Sequence, residues 1–174
     1  IFKKEYILPE NSYQVQVEYG VENTGSKDWN GHIYGQMRFR SGSEGSFFLY
    51  SFDGPVVFAN DQMQTFSLAS LTENKDSGFE ARDPYGWGGV MDRYFLSTWV
   101  PNPQNDNQIF ARGTGGAAFS GFVSPFPEVA PGEKIQQRHQ IFLGPKNQAL
   151  LEEVGGDHHL RRAVDYGILS FLAI

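Results

Sequence analysis

Tyr13-Gln14-Val15-Gln16-Val17-Glu18-Tyr19-Gly20-Val21 decides how this chain folds. Tyr13, Val15, Val17, Tyr19 and Val21 fall on one parity, and Gln14, Gln16 and Glu18 on the other. A two-residue period puts apolar side chains on one face of an extended strand and polar ones on the opposite face, which is the signature of a half-buried antiparallel strand. Ile33, Gly35, Met37 and Phe39 repeat the pattern, alternating with His32, Gln36, Arg38 and Arg40. The turn-forming run Asn23-Thr24-Gly25-Ser26-Lys27-Asp28 lies between the two stretches.

The same reading extends outward. Pro9-Glu10-Asn11-Ser12 ends a strand over residues 2–8. Strands are expected over residues 46–52, closed by Asp53-Gly54-Pro55, and over residues 64–70. A late strand carries Ile135, Ile141 and Leu143 on one parity and Lys134, Gln136, Arg138 and Gln140 on the other. Roughly ten short strands, separated by frequent turns, predict an all-β sandwich or barrel. One helix is expected over residues 145–154, with Pro145 in its first turn, Leu150, Leu151 and Val154 as its apolar stripe and Gly155-Gly156 as its stop. Residues 71–84 read as a polar loop.

Composition narrows the function. The 174 residues are enough for one domain with a real core. Aromatics at 15%, with 20 glycines and 9 prolines, favour strands and turns. A net charge of −6 argues against a nucleic-acid partner, which needs a basic face. With no cysteine there are no disulfides and no thiolate zinc sites. The chain does not begin with methionine and reads as a fragment or a processed product. No stretch reaches the ~20 apolar residues needed to span a bilayer.

Candidates for chemistry are few. His32 and His139 lie on strands far apart in sequence and read as solvent-facing or edge residues, although two sheet residues could meet in space. His158 and His159 read as polar turn residues beside Arg161 and Arg162, because adjacent histidines make poor metal geometry. Gly113-Thr114-Gly115-Gly116 lacks the lysine and helix of a phosphate loop and is expected to be a hairpin turn. Gly86-Trp87-Gly88-Gly89 is either a ligand-stacking loop or a place where strands approach closely, the latter being favoured. Asp76, Glu80, Asp83 and Asp92 cluster without any spacing that sets two carboxylates across a cleft. Neither a metal nor a cofactor is expected. Trp87 and Trp99 are candidates for a groove wall, and Trp87, Tyr94, Phe95 and Trp99 are expected to serve the core or such a wall.

The C-terminus carries the strongest signal. Arg161 and Arg162 precede Asp165-Tyr166-Gly167 and the run Ile168-Leu169-Ser170-Phe171-Leu172-Ala173-Ile174. Basic residues next to a short apolar segment suit lipid headgroups, and the alternative is pairing with Glu152, Glu153 or Asp157. The run is too short to span a bilayer but can lie on one. Something apolar is expected to follow it.

Three stretches resemble the large periplasmic domain of the YidC family of bacterial membrane-protein insertases. One is Phe142-Leu143-Gly144-Pro145-Lys146, then Gln148, followed by Val164-Asp165-Tyr166-Gly167. Another is Gly86-Trp87-Gly88-Gly89-Val90-Met91 with Arg93-Tyr94-Phe95 and Thr98-Trp99-Val100-Pro101. A less specific one is the strand pair over residues 2–23. The resemblance implies a twisted antiparallel β-sandwich, a supersandwich like that of galactose mutarotase, with one or two short C-terminal helices. It divides the chain into a β part over residues 1–143 and a membrane-leading segment over residues 144–174. It also implies a non-catalytic role on the periplasmic side of the inner membrane. The expected partners are the Sec translocon, SecD/SecF, nascent inner-membrane proteins and the bilayer surface. Asp165, Tyr166, Gly167, Ile168, Leu169, Phe171 and Leu172 would form the hinge and membrane anchor, with Arg161 and Arg162 at the headgroups. The other reading is a carbohydrate-binding or mutarotase-like sandwich. A strand-rich portion usual in the family before the segment matching Phe2 is absent from this sequence.

Overall fold

The computed structural model describes residues 1–40, 53–73 and 78–164. Strands make up 56% of these and helices 14%, so the alternating pattern, not helix periodicity, sets the architecture. The strands are β1 (Phe2–Ile7), β2 (Gln14–Glu22), β3 (Trp29–Phe39), β4 (Gly54–Ala59), β5 (Gln62–Thr65), β6 (Phe79–Arg82), β7 (Trp87–Met91), β8 (Phe95–Val100), β9 (Gln108–Thr114), β10 (Ala117–Val129) and β11 (Lys134–Pro145). Helix α1 spans Leu68–Glu73, and α2 spans Gln148–Gly155. Two 3-10 turns follow α2, at Gly156–His158 and Leu160–Ala163.

Two antiparallel sheets result. One has seven strands in the order β1-β2-β11-β8-β7-β4-β5, the other four in the order β3-β10-β9-β6. The alternation in β2 holds: Val17 and Val21 are buried, while Gln16 is exposed. Between the sheets lie Val17, Val57, Trp99, Ile109, Phe122 and Ile141. The outer face of the large sheet is also covered. Val56, Phe58, Trp87, Met91, Leu96, Val100 and Phe142 pack there with Leu151, Leu160 and Ala163 of the C-terminal segment. All six residues of β4 are buried, because one face meets the small sheet and the other meets this cap. A third cluster of Val21, Ile33, Phe126 and Val129 closes one end.

The sheets touch backbone to backbone where β7 crosses β10. A Cβ on Gly88 would lie 2.5 Å from the Gly121 nitrogen across the gap, while one on Gly121 would lie 1.9 Å from the Gly35 carbonyl oxygen of β3, its neighbour within the small sheet. Gly35 in turn leaves room for the Trp99 indole, which would sit 2.4 Å from a Cβ there. The buried Ser120 hydroxyl donates to the Gly89 carbonyl across the same gap. The Gly86–Gly89 stretch is thus a close-approach segment, as its glycines indicated. Gly115 and Gly116, at φ 58° and 70°, make the β9–β10 hairpin turn.

Several sequence expectations need correction. The strand expected over residues 64–70 stops at Thr65 and gives way to α1, because Ser67 Oγ accepts the Ser70 amide at 3.0 Å and starts a helix. Residues 71–84 are not simply a loop: α1 runs to Glu73, and β6 pairs with β9. Helix α2 starts three residues later than expected. Pro145 is the last residue of β11, opposite Phe95, and Asn147 caps the helix by accepting the Leu150 amide at 3.1 Å. Leu143 shares a parity with Ile141 but is exposed, because it lies beyond the cover of the small sheet. The strand expected over residues 46–52 lies outside the described residues.

Replacing Gly121 with alanine is expected to press its Cβ into the Gly35–Gln36 backbone of the neighbouring strand β3 and to cost about 1–3 kcal/mol or more, since overpacking against backbone has no side chain to yield. Denaturant unfolding of Gly121→Ala checks this, and a midpoint equal to that of the parent chain contradicts it.

Candidate functional site

The C-terminal cap is built by capping and latching. After Asn147 starts α2, Leu151 turns into the outer core, and Gly155-Gly156 breaks the helix. The first 3-10 turn is then fastened to β7 and the turn before it. Trp87 Nε1 donates to the His158 carbonyl at 2.9 Å, and His158 Nδ1 lies 2.8 Å from the Tyr85 carbonyl, the geometry of an N–H donating to that oxygen. His158 is therefore buried rather than a solvent-facing turn residue. Burial holds its pKa below the usual histidine value. His159 takes the left-handed conformation at φ 52° and sets its ring edge-on to Phe58.

Beyond the latch, Arg161 and Arg162 stand on the second 3-10 turn, half-exposed. Arg161 pairs with Glu152 at 3.0 Å, as the alternative reading foresaw, and Arg162 with Asp61 at 3.2 Å. Exposed pairs of this kind contribute about 0–1 kcal/mol. Each guanidinium has further N–H groups beyond the one that makes its pair, and both side chains are about half-exposed. Both arginines line a cleft of about 390 Å³ with Gln148 and Val164. Asp165, Tyr166, Gly167, Ile168, Leu169, Phe171 and Leu172 lie outside the described residues.

The second concave feature is a cleft of about 350 Å³ lined by residues including Gln16, Asn102, Arg138, His139, Gln140 and His158. His139 is 2% exposed, contrary to the reading of it as a surface residue. It shares its parity with Ile135 and Ile141, so its side chain enters the core against Phe122, 4.7 Å away between rings, and Tyr19, 5.9 Å away. Its Nδ1 accepts the Asn102 amide at 3.1 Å, which fixes the neutral ring with its proton on Nε2. Among the described residues, Nε2 has no hydrogen-bond partner. Burial pushes the His139 pKa down to about 4. A second ring proton would also face the Asn102 N–H donor to donor. His32 is exposed on β3, in the other sheet.

Two of the carboxylates serve turns. Asp83 accepts the Asn60 and Tyr85 amides at 2.7 and 2.9 Å, and Asp92 accepts those of Tyr94 and Phe95 at 2.6 and 2.7 Å. Glu80 accepts from Gln108 at 3.0 Å, and Asp76 lies outside the described residues. Among the described residues no three histidine, aspartate or glutamate side chains are placed to hold a metal. Both candidate tryptophans are buried. Trp87 is stacked on Phe58 in the outer core, and Trp99 lies against Phe122 between the sheets. Tyr94 and Phe95, expected in the core or a groove wall, are instead 62% and 55% exposed, because they follow the Asp92-capped turn at the sheet's uncovered corner.

The family model for the YidC periplasmic domain matches residues 1–174. Membrane protein insertases YidC from Pseudoalteromonas atlantica and Nitrosococcus oceani are each 30% identical over 98% of this chain. One from Legionella pneumophila is likewise 30% identical over 98% of the chain. The chain spans about 31% of the length of these relatives. Among solved structures, a galactose mutarotase related enzyme from Lactobacillus acidophilus is similar with a TM-score of 0.54. That likeness covers 82% of this chain and 60% of the other at 11% identity, which shows the fold alone.

Two outcomes test the site as built. Trp87→Phe removes the donor to the His158 carbonyl while keeping most of the aromatic volume, and should cost about 1–3 kcal/mol, with the cap loosening first. Hydrogen exchange of α2 amides checks the second half of that expectation. For His139, a folded pKa of about 4 against the ordinary 6.5 means the stabilisation is complete above pH 6.5 and is lost as pH falls towards 4. Between about pH 7 and about pH 4.5 this group should account for roughly 2–3 kcal/mol. His139→Asn, which keeps an acceptor near Nδ1, should flatten the pH dependence of unfolding by that amount; an unchanged pH profile removes His139 as its source.

Proposed function

Because this chain belongs to the family of YidC periplasmic domains, we propose that it is the non-catalytic periplasmic module of a membrane-protein insertase. In this reading it stands on the periplasmic side of the bacterial inner membrane and helps inner-membrane proteins insert and fold, alone or with the Sec translocon and SecD/SecF. Residues 1–143 act as the β scaffold and residues 144–174 as the membrane-leading segment.

The observation that carries the proposal is the family match along the whole chain, in register with a C-terminal cap that delivers Val164 to a cleft shared with two arginines. The next residues are Asp165-Tyr166-Gly167 and a mainly apolar run. A polar break, an interfacial aromatic and a flexible glycine suit a hinge at a membrane surface, and Ile168, Leu169, Phe171 and Leu172 suit the headgroup boundary. The mutarotase-like fold does not favour a sugar-converting role. Of the described carboxylates of the candidate cluster, Asp83 and Asp92 are engaged in turns and Glu80 accepts from Gln108, and His139 is held neutral in the core, so no acid–base pair is assigned to a sugar ring.

Depletion–complementation with the full-length protein tests the reading. Deleting residues 168–174 should impair growth and insertion, while replacing the exposed Ser26-Lys27 turn should not. The opposite pattern overturns this assignment of roles. In parallel, the purified chain should not accelerate anomerisation of galactose or glucose; acceleration abolished by His139→Ala or His32→Ala would restore the carbohydrate reading.

A further inference from the structure

We propose that Tyr13, Tyr94, Phe95 and Leu143 form a lipid-facing corner on which the β-domain itself rests on the bilayer. The proposal rests on the insertase reading and extends its membrane contact from the C-terminal run to a preformed surface of the sandwich.

These side chains are 48%, 62%, 55% and 46% exposed, yet the backbone holds them together. The Leu143 amide donates to the Tyr13 carbonyl at 2.9 Å. Pro145 lies opposite Phe95 in the β8–β11 ladder, and Leu143 opposite Ser97, so Phe95 and Leu143 are diagonal neighbours on one face. The Asp92 carboxylate fixes the turn that presents Tyr94 and Phe95 by accepting both amides. Arg93 lies 5.4 Å from the centre of the Tyr94 ring. Two tyrosines, a phenylalanine, a leucine and an arginine are the residue types that settle at the headgroup boundary, where one end of each side chain is apolar and the other wet.

What chooses lipid as the occupant is the route of the chain. The Lys146 amide donates to the Tyr94 carbonyl at 2.7 Å, two residues before α2 begins at Gln148. Gln148 in turn shares a cleft with Val164, the last residue before the hinge sequence and its apolar run. The corner and Val164 therefore lie at the same end of the molecule. A run at the headgroup boundary would hold the corner within a few residues' reach of the same surface, so even weak seating is favoured by the high effective concentration. A chain of net charge −6 would not be drawn to anionic lipid by its overall field, which leaves apolar and aromatic insertion, helped locally by Arg93, as the force.

The test uses the full-length insertase with single cysteines, which this segment accommodates because it has none of its own. Tyr94→Cys and Tyr13→Cys report on the corner, and Tyr34→Cys, at a 61% exposed position on β3 in the other sheet, is the control. Each carries an environment-sensitive fluorophore and is reconstituted into vesicles of phosphatidylethanolamine and phosphatidylglycerol containing a lipid quencher at headgroup depth. Labels at Tyr94 and Tyr13 should shift to the blue and lose most of their emission, while the Tyr34 label keeps its own. Equal quenching at all three sites overturns the proposal. So does protection of the corner labels in native membranes but not in these vesicles, which assigns the corner to a protein partner. Insertion activity is measured on the same vesicles: normal insertion with unquenched corner labels overturns the corner alone, whereas failure of the complementation pattern strikes the insertase reading whatever the labels report.

Discussion

The sheets can lie as close as they do only because Gly88 has no side chain, so that its backbone meets that of Gly121 directly. Most sandwiches hold their sheets about 10 Å apart by interdigitated side chains. Here the crossing of β7 and β10 is narrower, and Ser120 fastens it with a hydroxyl donated to the Gly89 carbonyl. The Trp99 indole fills the space over Gly35 beside this pinch, with Phe122 against it. A pinch in one place fixes where the smaller sheet can lie. Its four strands cannot cover all seven of the larger one, and two consequences follow from the surface left over.

The first concerns the outer face. Strands β4, β7 and β8 carry apolar side chains on both sides, and the small sheet can bury only one of them. Phe58, Trp87, Leu96 and Phe142 therefore need another cover, which α2 and the two 3-10 turns supply through Leu151, Leu160 and Ala163. Burying side chains of this size is worth about 1.5–3 kcal/mol each, so the segment up to Val164 is part of the core and not a tether. The Trp87 and His158 hydrogen bonds then set its direction. Through that latch the segment up to Val164 is tied to the sheet. The second consequence is the bare corner at Phe95 and Leu143, beyond the small sheet's reach.

Much of this was legible in the residues, for definable reasons. The period of two in β2 and β3 survives because each has one apolar face and one polar face. The Gly113–Gly116 turn was legible because two adjacent positive φ angles call for glycine. Helix α1 was missed: its six residues carry too little periodicity to compete with a strand-like run, and only Ser67 marked its start. Pro145 misled because a proline suits both a first helical turn and a strand's last residue. In the site, the parity of Ile135 and Ile141 already placed His139 inward, a signal in the sequence that the surface reading passed over. The Asn102 amide on its Nδ1, the pairing of Arg162 with Asp61 and the exposure of Tyr94 and Phe95 arise from contacts between residues remote in sequence, which no local pattern encodes.

Sharing a fold with a mutarotase-related enzyme sharpens the question of what the sandwich is for. A scaffold becomes an enzyme when titratable groups are held near a substrate with pKa values suited to proton transfer. Among the described residues, several of the candidates picked out from the sequence are committed elsewhere: Asp83 and Asp92 to turn amides, Glu80 to Gln108, His158 to the latch, His139 to a core position that disfavours its charged form. The same contacts fix the cap against β7 and leave paired arginines and exposed aromatic residues on the outside. A cap that merely packed could shift over the sheet, whereas one bonded to β7 through Trp87 fixes where Val164 stands relative to the strands.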